Sequence, residues 1–197
     1  MALRLLKEPA QAPDELPAAL LAAVADGDDG ACRRFVSCYE RRVFTLCVRM
    51  LGDVHAAEDA AQETFWRAMR AAAGFDPHGP ARLSTWVLTI ATRQCLDELR
   101  RRRRHPDRPS DEDVAELVSP LRPDALLDAA AEEARVMRAL DVLDADQRAV
   151  VVLRVLLERS VDETAQSLAI EAGTVKSRLS RAKARMAKAF SGGTDVH

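Results

Sequence analysis

The sequence predicts an all-α protein of two small helical domains joined by a flexible, acidic, Pro-containing linker, and three observations carry that expectation. Aromatic residues are only 4% of the 197-residue chain, while Ala, Leu, Arg and Glu are plentiful, a composition that favours helix over sheet. Apolar side chains recur at spacings of three and four, the period of a helix face rather than the alternation of a strand. Between two such regions, Pro106, Pro109, Pro120 and Pro123 are interleaved with Asp107, Asp111, Glu112, Asp113 and Glu116, a composition that disfavours a packed core. The expected order is a flexible leader over 1–17, a first domain over 18–104, the linker over 105–124, a second domain over 125–190 and a flexible tail over 191–197.

Each element has its own signal. Pro9, Pro13 and Pro17 set the leader apart, and helix formers follow from Leu16 to Ala25. Asp26-Gly27-Asp28-Asp29-Gly30 reads as a turn that also caps the next helix. Phe35, Tyr39, Val43, Leu46, Cys47 and Met50 then define one buried helical face. Gly52 suits a left-handed helix stop and Asp53 the cap of a helix running from Val54 to about Ala73. Gly74 ends that helix, and Phe75-Asp76-Pro77-His78-Gly79-Pro80 forms a stiff loop. Ser84 or Thr85 is the expected N-cap of a long helix to about Arg103, with Trp86, Ile90 and Ala91 turned inward and Arg93, Asp97, Arg100 and Arg101 outward. Beyond the linker, Val136, Leu140 and Leu143 share a face, and Asp144 or Asp146 caps a further apolar helix through Leu157.

The formal net charge of −2 conceals segregation, because basic runs at Arg100 to Arg104 and Lys176 to Lys188 flank the acid-rich span Asp107 to Asp146. No stretch approaches the roughly 20 apolar residues that would span a bilayer, and the first residues carry acids and prolines where a secretory signal needs an apolar core. A cytoplasmic protein without membrane insertion is expected. Cys32, Cys38, Cys47 and Cys95 form no C-x-x-C pair and suit buried free thiols. His55, Asp59 and Glu63 fall at successive i, i+4 positions, yet no second cluster completes a metal shell, so no metal is expected. Phosphate loops, dinucleotide fingerprints and nucleophile elbows are absent from the sequence; no cofactor and no enzymatic activity are expected.

Three stretches remain that could bind partners. Along Ala57 to Arg70, Ala57, Ala61, Phe65 and Met69 make an apolar stripe while Glu58, Asp59, Gln62 and Glu63 crowd a neighbouring face, which suits a partner other than nucleic acid. The helix from Ser84 combines Trp86 with the Arg100 to Arg104 run and follows Phe75, an aromatic and cationic mixture that could stack on unpaired bases while holding phosphates; Trp86 and Phe75 as plain core residues fit equally well. Val161 to Ser167 and Ala172 to Lys188 have the proportions of a helix-turn-helix. Ala165 is the small residue expected to let its helices approach, with Ala169 and Ile170 in the turn. Val175, Leu179, Ala182 and Met186 lie inside, and Thr174, Lys176, Ser177, Arg178, Arg181 and Lys183 outside, able to enter a major groove.

Taken in series, these pieces resemble the extracytoplasmic-function (ECF) sigma factors of the sigma-70 family, bacterial transcription initiation factors. The resemblance rests on R-M-L-G-D-V-H-A-A-E-D-A-A-Q-E-T-F-W-R-A from Arg49, F-D-P at Phe75, S-T-W-V-L-T-I-A from Ser84, L-D-E-L-R-R from Leu96 and G-T-V-K-S-R-L-S-R-A from Gly173. It implies that the two domains are sigma domains 2 and 4 and that the partners are core RNA polymerase, promoter DNA and an anti-sigma factor, in response to stress or an envelope signal. By position it implies a polymerase-binding surface at Glu58, Asp59, Gln62 and Glu63. It implies minus-ten contacts from Phe75, Arg82, Ser84, Thr85, Trp86, Arg93, Asp97, Arg100 and Arg101. Minus-thirty-five contacts are implied for Thr174, Lys176, Ser177, Arg178 and Arg181.

Two positions depart from the family pattern. Ile90-Ala91 is followed by Thr92-Arg93 where many relatives carry Arg-Asn, which bears on the preferred minus-ten sequence, and Ala169 stands where a turn glycine is frequent. The alternative left by the residues alone is a helix-turn-helix transcriptional regulator that does not bind polymerase core as a sigma subunit. Such a regulator carries a sensing or receiver domain upstream, and the strand and helix alternation of a receiver is missing here.

Overall fold

The computed structural model describes residues 16–79, 81–104 and 134–191, and every regular element among them is helical. The leader up to residue 15, the linker and the final six residues lie outside the described part, as do the calls made on them. Helix α1 spans Ala18–Ala25, α2 Asp29–Leu51, α3 Val54–Ala71, α4 Leu83–Arg104, α5 134–141, α6 Ala145–Val151, α7 Val161–Leu168 and α8 Ala172–Ser191.

In the first domain, α2, α3 and α4 pack around one core, with α1 laid against it. Asp28 starts α2 by accepting the Ala31 N–H at 2.7 Å, and Gly52 stops it in the left-handed conformation, φ 68°, which glycine adopts without a Cβ penalty. The predicted face of α2 is buried throughout, and Phe35 makes edge-on contacts with Tyr39 and with Phe65 of α3 at centroid distances of 5.4 and 6.1 Å. Asp53 caps α3 through the Ala56 N–H at 3.0 Å. That helix ends at Ala71, two residues short of expectation, because the chain tightens into a 3₁₀ turn over Ala72–Gly74 closed by Phe75 N–H on the Ala72 carbonyl.

Two expectations for α4 are corrected. Leu83 is already helical, so Ser84 and Thr85 occupy the first turn rather than the cap. Its inward face is Val87, Leu88, Ala91 and Cys95, whereas Trp86 and Ile90 are only half-buried at its edge. Cys95 lies beside Cys47 of α2; the hydrogen bond between the thiols and their burial push the Cys95 thiol well above its ordinary range. Cys32 and Cys38 are half-buried free thiols.

In the second domain, Asp144 caps α6 through the Gln147 N–H at 2.8 Å. The helix expected to run through Leu157 instead widens at Val152–Leu156, where Leu157 N–H bonds back five residues to Val152. Ser160 and Glu163 then form a reciprocal capping box on α7. Val136, Leu140, Leu143, Val175, Ala182 and Met186 are buried, and Ala165, expected at the helix approach, is half-buried while Thr164 and Ser167 are fully enclosed. Ala169 closes α7 with φ 52°, and the Ile170 N–H reaches the Ala165 carbonyl at 3.0 Å. Alanine therefore does make the left-handed turn, at a steric cost that glycine avoids.

The two domains pack against each other. Their buried residues belong to one hydrophobic cluster, with α7 lying on α4 and α6 against the end of α2. Arg148 of α6 donates to the Met50 carbonyl at 3.2 Å, the Leu140 carbonyl at 3.2 Å and Asp141 at 2.7 Å, filling one of the carbonyls that a helix C-terminus leaves without an internal partner.

Candidate nucleic-acid and docking interfaces

The acidic face of α3 stands in solvent. Glu58, Asp59 and Gln62 are exposed because the opposite side of the helix, Ala57, Ala60, Ala61, Thr64, Phe65 and Ala68, is buried. Glu63 is half-buried and ion-paired with Arg67, and Glu58 sits 3.7 Å from His55. The four predicted residues thus share one side of one helix. Reasoning from sequence missed Trp66, which is 51% exposed and is the large hydrophobic side chain most open to solvent among the described residues. It lies one helical turn after Gln62, with the Arg70 guanidinium 4.5 Å from its ring centroid, and its i+4 and i+7 spacing from Gln62 and Asp59 was the available signal. Among the described residues no group of three or more His, Cys, Asp or Glu is arranged to hold a metal ion.

The second constellation divides along α4. Phe75 and Trp86 pack ring to ring at 5.2 Å, each with one side on the core and part in solvent. Arg82, Arg93, Asp97, Arg100 and Arg101 are exposed, although Arg100 is bonded to Asp97 at 2.8 Å and Arg101 to Glu98 at 2.7 Å. The Arg101 hydrogen bond, with Arg102 adding to it, holds the Glu98 carboxyl below its usual range. Arg102 turns back onto its own domain, reaching Asp53 at 2.9 Å.

Ser84 and Thr85 are the exceptions to solvent access, being 0% and 1% exposed. The Ser84 hydroxyl accepts from Arg159 at 3.1 Å, and the Thr85 hydroxyl donates to Glu163 at 2.9 Å. One turn further on, the Thr89 and Ser167 hydroxyls share a hydrogen bond at 2.9 Å. In this arrangement the two hydroxyls expected on DNA face Arg159, just before α7, and Glu163 on α7 instead, because the second domain covers them. Burial would raise the Glu163 carboxyl, but hydrogen bonds from the Ser160 N–H, the Thr85 and Ser160 hydroxyls and the charge of Arg159 outweigh it and hold the pKa at about 2.

The third constellation is the outer face of α8. Lys176, Ser177 and Arg181 are exposed, as is Lys183, and Thr174 is half-buried in the first turn with its carbonyl accepting from the Ser177 hydroxyl at 3.1 Å. Arg178 departs from the expected outward pose: it leans toward α6 and pairs with Asp146 at 3.0 Å. Arg185 reaches Gln147 at 3.1 Å and Asp144 at 3.5 Å. A short α7, a tight turn at Ala169 and a long basic α8 complete a helix-turn-helix.

A helical two-domain protein with this C-terminal unit is a DNA-binding component of the transcription apparatus. Its residues 35–105 match Sigma-70 region 2 and its residues 133–186 match Sigma-70, region 4. Over 176 residues the chain is 34% identical to the ECF RNA polymerase sigma factor SigW of Bacillus subtilis, covering 84% of this chain and 91% of that one. It is 37% identical to the ECF RNA polymerase sigma factor SigM of Mycobacterium tuberculosis over 172 residues, covering 87% and 83%. Among solved structures, CnrH in complex with the cytosolic domain of CnrY is similar with a TM-score of 0.64 and 25% identity, covering 90% of this chain and 98% of that one. The sigma factor RpoE from Bartonella quintana, bound to the anti-sigma factor NepR, shares the fold with a TM-score of 0.63 at 22% identity, covering 83% and 98%. The chain belongs to the ECF RNA polymerase sigma factors of the sigma-70 family. It is a transcription initiation factor that directs polymerase to promoters, and the alternative of a regulator that does not act as a sigma subunit is not favoured, since the segment upstream of the helix-turn-helix matches Sigma-70 region 2.

Proposed function

We propose that the chain docks on core RNA polymerase through Glu58, Asp59, Gln62 and Glu63, with Trp66 as the apolar anchor among them. The observation that carries this assignment is the exposure of acids and a large aromatic on one side of α3, over a buried apolar stripe. An aromatic side chain beside a polar rim is the usual composition of a binding hot spot. Phe75, Arg82, Ser84, Thr85, Trp86, Arg93, Asp97, Arg100 and Arg101 serve the minus-ten element, and Thr174, Lys176, Ser177, Arg178 and Arg181 the minus-thirty-five element. In this assignment 18–104 works as sigma domain 2 and 125–190 as sigma domain 4, tethered by 105–124.

The protein performs no bond chemistry and works in the cytoplasm, where an anti-sigma factor restrains it; the RpoE and NepR complex is a structure of such a pair. No described helix is long and apolar enough to cross a membrane. Titrating Asp59→Lys against core enzyme tests the docking face: affinity should fall by about 2 kcal/mol or more, over tenfold, with the fold of the chain retained. Unchanged affinity would remove α3 from the interface, and absence of any promoter-dependent run-off transcript with active core would remove the function itself.

A further inference from the structure

The cations of α8 fall into two sets that only packing separates. Arg178 and Arg185 are seven residues apart, about two helical turns, and so share one side of the helix, the side that lies against α6. There they meet a row of acceptors at the start of α6. The Arg178 guanidinium lies 3.0 Å from the Asp146 carboxylate, and Arg185 reaches the Gln147 side-chain oxygen at 3.1 Å and Asp144 at 3.5 Å. Among the described residues, Lys176 and Lys183 stand exposed with no carboxylate paired to them. The two arginines differ in place. Arg185 lies in the second half of the helix, whereas Arg178 lies in the first half, one turn after Thr174, where the side chains of an inserted helix reach base edges.

We propose that Asp146 is a positioning residue for promoter recognition: its carboxylate holds the Arg178 guanidinium at a fixed angle, which makes Arg178 a reader of a base edge in the minus-thirty-five element rather than a phosphate clamp. The role rests on the assignment of Arg178 to that element and says how the side chain works there. A guanidinium carries five N–H donors in a planar fork, so one of its nitrogens can stay on Asp146 while the remaining donors face the N7 and O6 acceptors of a guanine. A cation on a free stem settles instead on the phosphates, which flank the groove and carry the charge. Pairing with Asp146 opposes that in two ways. The stem loses its freedom before DNA arrives, so less entropy is lost on contact, and the pair adds almost no net charge to the general attraction. Stability is a poor explanation of the contact, because Arg178 is 24% and Asp146 53% exposed, and an ion pair open to water to that extent gains little.

The test compares Asp146→Asn, Arg178→Ala and the double variant, each as the full chain assembled with core polymerase. Binding is measured to a promoter defined by run-off transcription and to a panel carrying every single-base change in its minus-thirty-five element. Asp146→Asn should bind the parent promoter within about threefold of wild type, yet its preference for the parent base should fall by about tenfold at one position. The salt dependence should steepen by about one unit as Arg178 turns to a phosphate. Arg178→Ala should lose the preference at the same position, and the double variant should lose no more than Arg178→Ala alone, because Asp146 acts through that side chain. An Asp146→Asn protein that discriminates as wild type does, beside an Arg178→Ala protein that does not, would overturn the positioning role and leave the assignment of Arg178 standing. A uniform loss across the panel together with a lowered urea midpoint would make the pair a structural contact and overturn the role as well. Arg178→Ala indistinguishable from wild type would remove Arg178 from the minus-thirty-five contact, and the role of Asp146 with it.

Discussion

The two helices assigned to DNA, α4 and α8, are built on opposite plans. On α8 the apolar residues Val175, Ala182 and Met186 occupy a single buried stripe, and Lys176, Ser177, Arg181 and Lys183 stand in solvent. The first half of α4 is enclosed from two sides, with Val87, Leu88 and Ala91 buried in its own domain and Ser84 and Thr85 beneath α7. A lysine at Ser84 or Thr85 would carry a charge into that contact, whereas a hydroxyl can donate or accept with whichever partner is present. The open face is written in cations, and the covered one in serine and threonine. The difference teaches that a helix face lying against a second domain must have its polar groups satisfied under that cover.

That contrast can be broken most forcefully at Arg148. Replacing it in Arg148→Ala removes one donor each from the Met50 and Leu140 carbonyls and the partner of Asp141, and should destabilise the chain by about 2–4 kcal/mol, with domain unfolding in urea separating into two transitions. A single unshifted transition would mean that Arg148 does not fasten the second domain to the end of α2. A smaller effect is expected at α8, where Arg181→Ala should weaken promoter binding by about 1–3 kcal/mol if the side chain reads a base, or lower the salt dependence by about one unit if it holds a phosphate. Binding isotherms at several salt concentrations distinguish these outcomes. The smallest change is Ala169→Gly, which relieves the left-handed turn and should raise stability by about 1 kcal/mol without altering polymerase affinity, measured by denaturant midpoint and core titration.

Local chemistry made much of the fold legible. Asp28, Asp53 and Asp144 cap the helices that their positions announced, and the spacing of Phe35, Tyr39, Val43, Leu46, Cys47 and Met50 marks a face that is entirely buried. Periodicity alone misjudged α4, since a helix with neighbours on two sides has no single inward stripe; the period seen in Trp86 and Ile90 belongs to its edge. Nor could the sequence announce that Ser84 would meet Arg159 or Thr85 meet Glu163, because residues 75 and 78 positions apart pair only through domain packing. The exposed Trp66 escaped for a different reason: aromatic residues are first assigned to cores, and its neighbours Phe65 and Met69 satisfied that expectation.

Asp53 carries a consequence beyond capping. Its carboxylate accepts the Ala56 N–H at the start of α3 with one oxygen and the Arg102 guanidinium near the end of α4 with the other. Burial would raise its pKa, yet those two partners keep it below the ordinary value, so the group stays charged and the joint stays made. The helix assigned to polymerase and the helix assigned to the minus-ten element therefore share a joint. Beside the core packing between the two helices, that side chain fixes the start of one to the end of the other, so a tilt of either helix pulls on the same carboxylate.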